Sequence, residues 1–145
     1  MSTINKGRVF LGGVVAGAVT LAIQYAGMFI ALKRIKQVAQ TAGWALPEIT
    51  PAFQLKWAVL VLFIGGPLAI WLYAAIRPRF GAGPWTAVRS AFYLWLVLGP
   101  YYGTLLSLMG LLPPVPLAAQ LFNYIAALPL MIIAMLAGAW IYKEE

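Results

Sequence analysis

Residues 90–142 carry no charged side chain, a run of 53 residues that ends at Lys143, and no other feature limits the fold so tightly. A water-soluble domain this small cannot hide so long an apolar ribbon, whereas a bilayer dissolves it. A helix crosses a hydrocarbon core of about 30 Å with roughly 20 residues, each rising about 1.5 Å, so this stretch is too long for one crossing and has to fold back once. The only candidate turn inside it is Gly110-Leu-Leu-Pro-Pro-Val-Pro116, where three prolines remove backbone donors. Two further charge-free stretches, 9–32 and 57–76, each have the length of one crossing. With 63% hydrophobic and 9% charged residues, the chain reads as all-α and integral to a membrane. The expected architecture is a four-helix antiparallel bundle with spans at about 9–32, 55–76, 86–111 and 117–142, in a single transmembrane domain over residues 1–145. The first apolar stretch exceeds a signal-peptide core and lacks a small-residue cleavage site, so it reads as a retained span.

Four spans put the N-terminus, the middle loop and the C-terminus on one side. That side holds Lys6, Arg8, Arg77, Arg79, Arg89 and Lys143, against Lys33, Arg34, Lys36 and Lys56 opposite. The positive-inside bias then places both termini in the cytoplasm. Trp71 and Tyr73 precede Arg77 as Trp140 and Tyr142 precede Lys143, so two aromatic pairs mark helix ends at one interface. The matching W-L-Y and W-I-Y runs also hint at a two-plus-two repeat.

Between the first two spans, residues 33–54 form the longest loop. Its start puts Ile35, Val38, Ala39 and Ala42 on one face, with Lys33, Lys36, Gln37 and Gln40 elsewhere. This reads either as an interfacial helix over 33–42 ending at Gly43, a docking surface for a partner or anionic lipid, or as an extension of the first span resting on its own bundle. Small and weakly polar residues at helical spacing mark the packing faces: Gly13, Gly17, Thr20, Gln24 and Gly27 in the first span, Ala58, Gly65, Gly66 and Ala69 in the second. The third span has Gly99, Gly103, Ser107 and Gly110, and the fourth Ala127, Ala134 and Gly138. Such stripes let backbones approach closely. Pro67, Pro100 and Pro129 interrupt three spans; breaks of this kind either build a midplane site or are tolerated where neighbours satisfy the backbone.

The sequence has no His and no Cys, and its acids are Glu48, Glu144 and Glu145. Paired-carboxylate catalysis, thiolate or His-assisted nucleophiles and the common metal sites all lack their residues. The chain is therefore read as neither an enzyme nor the holder of a cofactor or metal, and no nucleic-acid partner is expected. A proton-coupled exporter of the small multidrug type needs a membrane-embedded Glu in its first span, and none is present. Gln24, near the middle of the first span, needs a hydrogen-bond partner on a neighbouring helix. Gln120, Asn123 and Tyr124 sit early in the fourth span, where water or headgroups are expected to meet them.

The middle loop, I-R-P-R-F-G-A-G-P-W-T-A-V-R, concentrates Arg77, Arg79 and Arg89 around the start of the third span. Pro78 is expected to end the second helix at Arg77, Gly81 and Gly83 to allow the reversal, and Pro84 to open the next helix. A helix N-terminus beside three arginines suits an anion or lipid headgroup, and equally a solvated turn that fixes topology.

The run W-L-Y-A-A-I-R-P-R-F-G-A-G-P-W-T-A, with the early I-N-K-G-R-V-F-L-G-G-V-V-A-G and the closing L-A-G-A-W-I-Y-K-E, resembles a family of uncharacterised bacterial membrane proteins of about this length. The resemblance covers most of the framework, implies a bacterial inner-membrane location and carries no activity with it. In that family the first loop is often acidic, whereas here Lys33, Arg34 and Lys36 make it basic. The leading expectation is a non-catalytic accessory or scaffold subunit of a larger electron-transfer, photosynthetic or transport assembly, with membrane lipids and other membrane subunits as partners. The rivals are a stand-alone small-solute channel or facilitator, as a single chain or a homo-oligomer, and an anionic-lipid-binding protein built on the arginine loop.

Overall fold

A computed structural model describes residues 4–41, 43, 50–108 and 117–142, with side chains placed except at 31–32, 34–35, 38–39, 99–108, 117–120 and 122–123. Every element among them is helical: α1 (Lys6–Thr41), α2 (Pro51–Leu60), a π-helical turn (Val61–Gly65), α3 (Gly66–Phe80), α4 (Pro84–Leu108) and α5 (Leu117–Ile141). Three stretches are long and apolar enough to cross a membrane, Lys6–Ile30, Pro51–Phe80 and Tyr124–Ile141. They contain most of the spans expected at 9–32, 55–76 and 117–142. The span expected at 86–111 falls on α4, and its end at 109–111, with the turn of Gly110–Pro116, lies outside the described residues.

Local chemistry explains where the helices start and stop. The Asn5 carboxamide accepts from Arg8 N at 3.1 Å and opens α1. Thr50 does the same for α2, accepting from Phe53 N at 3.2 Å with Pro51 in the first turn. That Thr-Pro start moves the helix to residue 51, ahead of the boundary expected near 55. At the other end, α3 runs through Pro78 to Phe80 instead of stopping at Arg77. A proline in a last turn removes one donor but leaves the terminal carbonyls to other partners, so Gly81, at φ 82°, ends the helix by returning its N–H to Arg77 O at 2.8 Å. Residues 33–41 continue α1 as one helix, followed by Gly43 at φ 67°.

Packing is tightest where α1 meets the rod formed by α2, the π turn and α3. A Cβ on Gly13 would strike the Pro67 and Gly66 backbone, and one on Gly17 would sit 2.8 Å from Val61 O. Further along, Gln24 Oε1 accepts from Trp57 Nε1 at 3.0 Å. As α1 advances its partners fall in number, so the two rods run in opposite directions. On its other side α1 meets α5: Gly12 and Gly138 face each other's carbonyls, and a Cβ on either would lie 2.6 Å from the other's oxygen. Helices α4 and α5 are joined by Trp95, whose Nε1 donates to Tyr124 O at 2.8 Å while the rings stack 4.2 Å apart. Tyr124 is thus held by an aromatic neighbour instead of meeting only water or headgroups.

The π turn has a geometric reason. Val61 and Gly66 are both buried, yet five residues of ordinary α-helix would place them about 140° apart around the axis. Bonding Gly66 N to Val61 O instead brings both to the α1 face. The core then gathers at one end of the molecule, around fully buried Ile70 with Val9, Ala16, Tyr73, Ala74, Ala87, Ala91, Met135 and Tyr142.

Candidate functional site

The α3–α4 turn is built so that its polar atoms answer one another. Gly81 and Gly83 take φ values of 82° and 147°, which side chains with a Cβ rarely adopt. Their reversal brings Thr86, in the first turn of α4, back to the end of α3. Its hydroxyl donates to Gly81 O at 2.7 Å and lies 3.3 Å from Phe80 O, closing carbonyls that the helix end leaves open. One turn on, Ser90 Oγ donates to Thr86 O at 2.8 Å. Both hydroxyls are buried, and both escape a search for functional residues because Ser and Thr at a turn carry no distinctive spacing.

Beside this turn the C-terminal ends of α3 and α5 lie together. Tyr73 meets Tyr142 edge-on, centroids 5.9 Å apart and planes at 89°. One helical turn after Tyr73, on the same face, Arg77 sets its guanidinium carbon 5.5 Å from the centre of the Tyr142 ring. The two aromatic pairs noted in the sequence therefore do mark neighbouring helix ends. Between these ends and the start of α4 opens a cleft of about 670 Å³, lined by Tyr73, Arg77, Ala82, Gly83, Pro84, Ala87, Leu136, Ala137, Ala139 and Trp140. Among the described residues Arg77 supplies the charge in that lining.

The three arginines are placed differently around the turn. Arg89 is exposed and lies over the Phe80 ring, 4.9 Å from its centre. Arg79 is exposed and takes no part in the cleft wall. Only Arg77, half-buried, reaches the cavity. The separation follows from helical geometry: residues 77 and 79 point about 160° apart once α3 continues through Pro78.

The residues expected to pack helices are also sorted. Gly13, Gly17 and Gly138 make close backbone approaches, and Gln24 bridges to Trp57. Thr20 bonds Ala16 O of its own helix at 2.8 Å, so it contributes no polar link between helices. Gly27 has nothing within 4 Å of a Cβ position and does not join the stripe. Gly99 and Gly103, with Ser107, lie on α4 where no side-chain surroundings are described, and Gly110 lies outside the described residues. Gly12, absent from the expected stripe, makes the α1–α5 contact; its place beside Gly13 was the available signal.

Among the described residues no group of His, Cys, Asp or Glu could hold a metal ion. Comparison of the chain with protein-family models, with curated proteins and with solved structures gives no match.

Proposed function

We propose that the chain is a four-span antiparallel bundle of a bacterial inner membrane, both termini cytoplasmic, serving as a non-catalytic accessory or scaffold subunit of a larger membrane complex. The carrying observation is the outer half of α1. The helix has 36 residues, about 54 Å at 1.5 Å per residue, well beyond the 30 Å or so that a bilayer core asks of it. Among the described side chains, those from Gly27 outward stand clear of neighbours: Gly27 has nothing within 4 Å of a Cβ position, Phe29 is 83% exposed and Ile30 80% exposed, and Lys33, Lys36, Gln37 and Gln40 are exposed after them. An apolar ridge continued by a basic segment is a docking arm for another membrane subunit. At 25 residues, about 37 Å, α4 is long enough to complete the fourth crossing.

Mild-detergent extraction from the native membrane, native-gel separation and mass spectrometry of the co-migrating species test this reading. Stoichiometric migration with other membrane subunits is expected, lost when Phe29 and Ile30 are both replaced by alanine. A lone monomer or homo-oligomer rejects it.

The π turn beside Pro67 favours a second reading, a small-solute channel or facilitator. Proline withholds the donor that the Phe63 carbonyl would use in an α-helix, and π turns recur at functional positions. Solute flux in liposomes holding this protein alone is the result that selects it.

A further inference from the structure

The basic tip of α1 and part of its apolar length belong to a single face. Ala18, Tyr25, Phe29, Lys33, Lys36 and Gln40 are all exposed, and at about 100° per residue they fall within roughly 80° of one another around the helix axis. The packed residues point away from that arc: Gly13 and Gly17 close on the rod of α2 and α3, and Gly12 closes on α5. From Ala18 to Gln40 the uncovered face runs for about 33 Å. Ala18 permits close approach, while Tyr25 and Phe29 offer large apolar anchors.

Charge and length say what fits such a face. Between residues 33 and 56 the sequence holds Lys33, Arg34, Lys36 and Lys56 against one acid, Glu48, so positive charge is in excess whatever Glu48 meets. A symmetric pair of chains in one orientation would bring the Lys33 and Lys36 of both copies to one level, which like charges oppose. The complement is a different chain with acidic residues at that level. With 36 residues, about 54 Å, α1 is also longer than the roughly 40–45 Å of a whole bilayer with its headgroups. Its surplus emerges with Lys36 and Gln40 near the tip, past the layer of lipid phosphates and within reach of a protein surface.

We propose that this face takes one helix of a different membrane subunit, which runs beside α1 through the bilayer, emerges on the same side and sets Asp or Glu against Lys33 and Lys36. The assignment rests on the accessory-subunit reading and gives that partner its chemistry.

The test applies a carbodiimide, which joins lysine amines to carboxylates in contact, to native membranes and maps the products by mass spectrometry, beside native-gel separation of the untreated complex. In the parent, Lys33 or Lys36 is joined to an Asp or Glu of one membrane subunit that also co-migrates with the chain. Lys33→Arg with Lys36→Arg keeps the charge and removes the amines, so the product disappears while co-migration stays within about twofold. Lys33→Gln with Lys36→Gln lowers co-migration by about tenfold, with the thermal midpoint unchanged because both side chains are exposed. Absence of any co-migrating subunit in the parent overturns the accessory-subunit reading and this assignment together. A co-migrating subunit that gives no carbodiimide product, survives the glutamine pair or is lost in the arginine pair overturns this assignment alone. A product joining two copies of the chain, or anionic lipid in place of a protein at these lysines, overturns it as well.

Discussion

Gly12, Gly13 and Gly27 of α1 look alike in the sequence and behave differently in the fold. Gly12 faces the Gly138 carbonyl and Gly13 faces Gly66 and Pro67, with backbone on the far side in each case, so no side chain can swing away to make room. Replacing Gly12 or Gly138 by alanine forces two helices apart, and overpacking of this kind costs about 1–3 kcal/mol. Gly27 is open on the same helix. There alanine meets no neighbour and gains helix propensity, so Gly27→Ala is neutral or stabilising by up to about 1 kcal/mol. Unfolding of the purified variants by heat or by denaturing detergent reads both signs. A Gly27→Ala variant as damaged as Gly12→Ala would mean that α1 is covered along its whole length. Spacing of small residues reveals a stripe but not where along it the neighbour stops, so it takes in Gly27, and it passes over Gly12, which faces α5 instead.

At the scale of the element, the rod from Pro51 to Phe80 depends on its π turn. Bonding Gly66 N to Val61 O leaves one residue more than an α-helical turn would hold, and that surplus keeps Val61 and Gly66 on one face. Deleting exposed Phe63 should therefore turn the segment into plain α-helix with 61 and the old 66 four apart, still sharing the face toward α1. The expected deletion mutant folds, with a thermal midpoint within a few degrees of the parent. Inserting one alanine after Phe63 swings everything beyond it by about 100° and breaks the Gly13–Pro67 contact, so that variant is lost or strongly destabilised. Equal tolerance of deletion and insertion would show that the register between the rods does not matter. No hydrophobic pattern announces such a turn; the G-G-P run signals a weak point, and whether it becomes a kink, a break or a π turn is decided by what α1 presents opposite.

At the scale of the whole molecule, its helical and membrane-spanning character was legible because charge placement and helix length obey the bilayer, and the stretches 9–32 and 57–76 lie largely within helices long and apolar enough to cross. The Gly81 reversal and the Pro84 start also follow from local chemistry, whereas the Thr50-Pro51 start and the run of α3 through Pro78 are not legible in charge or hydropathy. The cleft was not legible. Three arginines in one loop read as one cluster, and only the continuation of α3 through Pro78 turns Arg77 inward and leaves Arg79 outside. Direction in the membrane can be settled because the chain has no cysteine of its own. Single-cysteine variants at Lys6, Ala52 and Ala82 probe exposed positions at the start of α1, at the start of the rod and in the α3–α4 turn. The rod holds 30 residues between Pro51 and Phe80, about 45 Å, so Ala52 and Ala82 belong on opposite sides. With intact cells stripped of their outer envelope, a membrane-impermeant maleimide should label the variant at Ala52, while those at Lys6 and Ala82 react only after permeabilisation. Labelling of Ala82 with Ala52 protected would invert the bundle and put the arginine cleft in the outer leaflet. Labelling of both from one side would mean that the rod does not cross, and the four-span bundle would have to be given up.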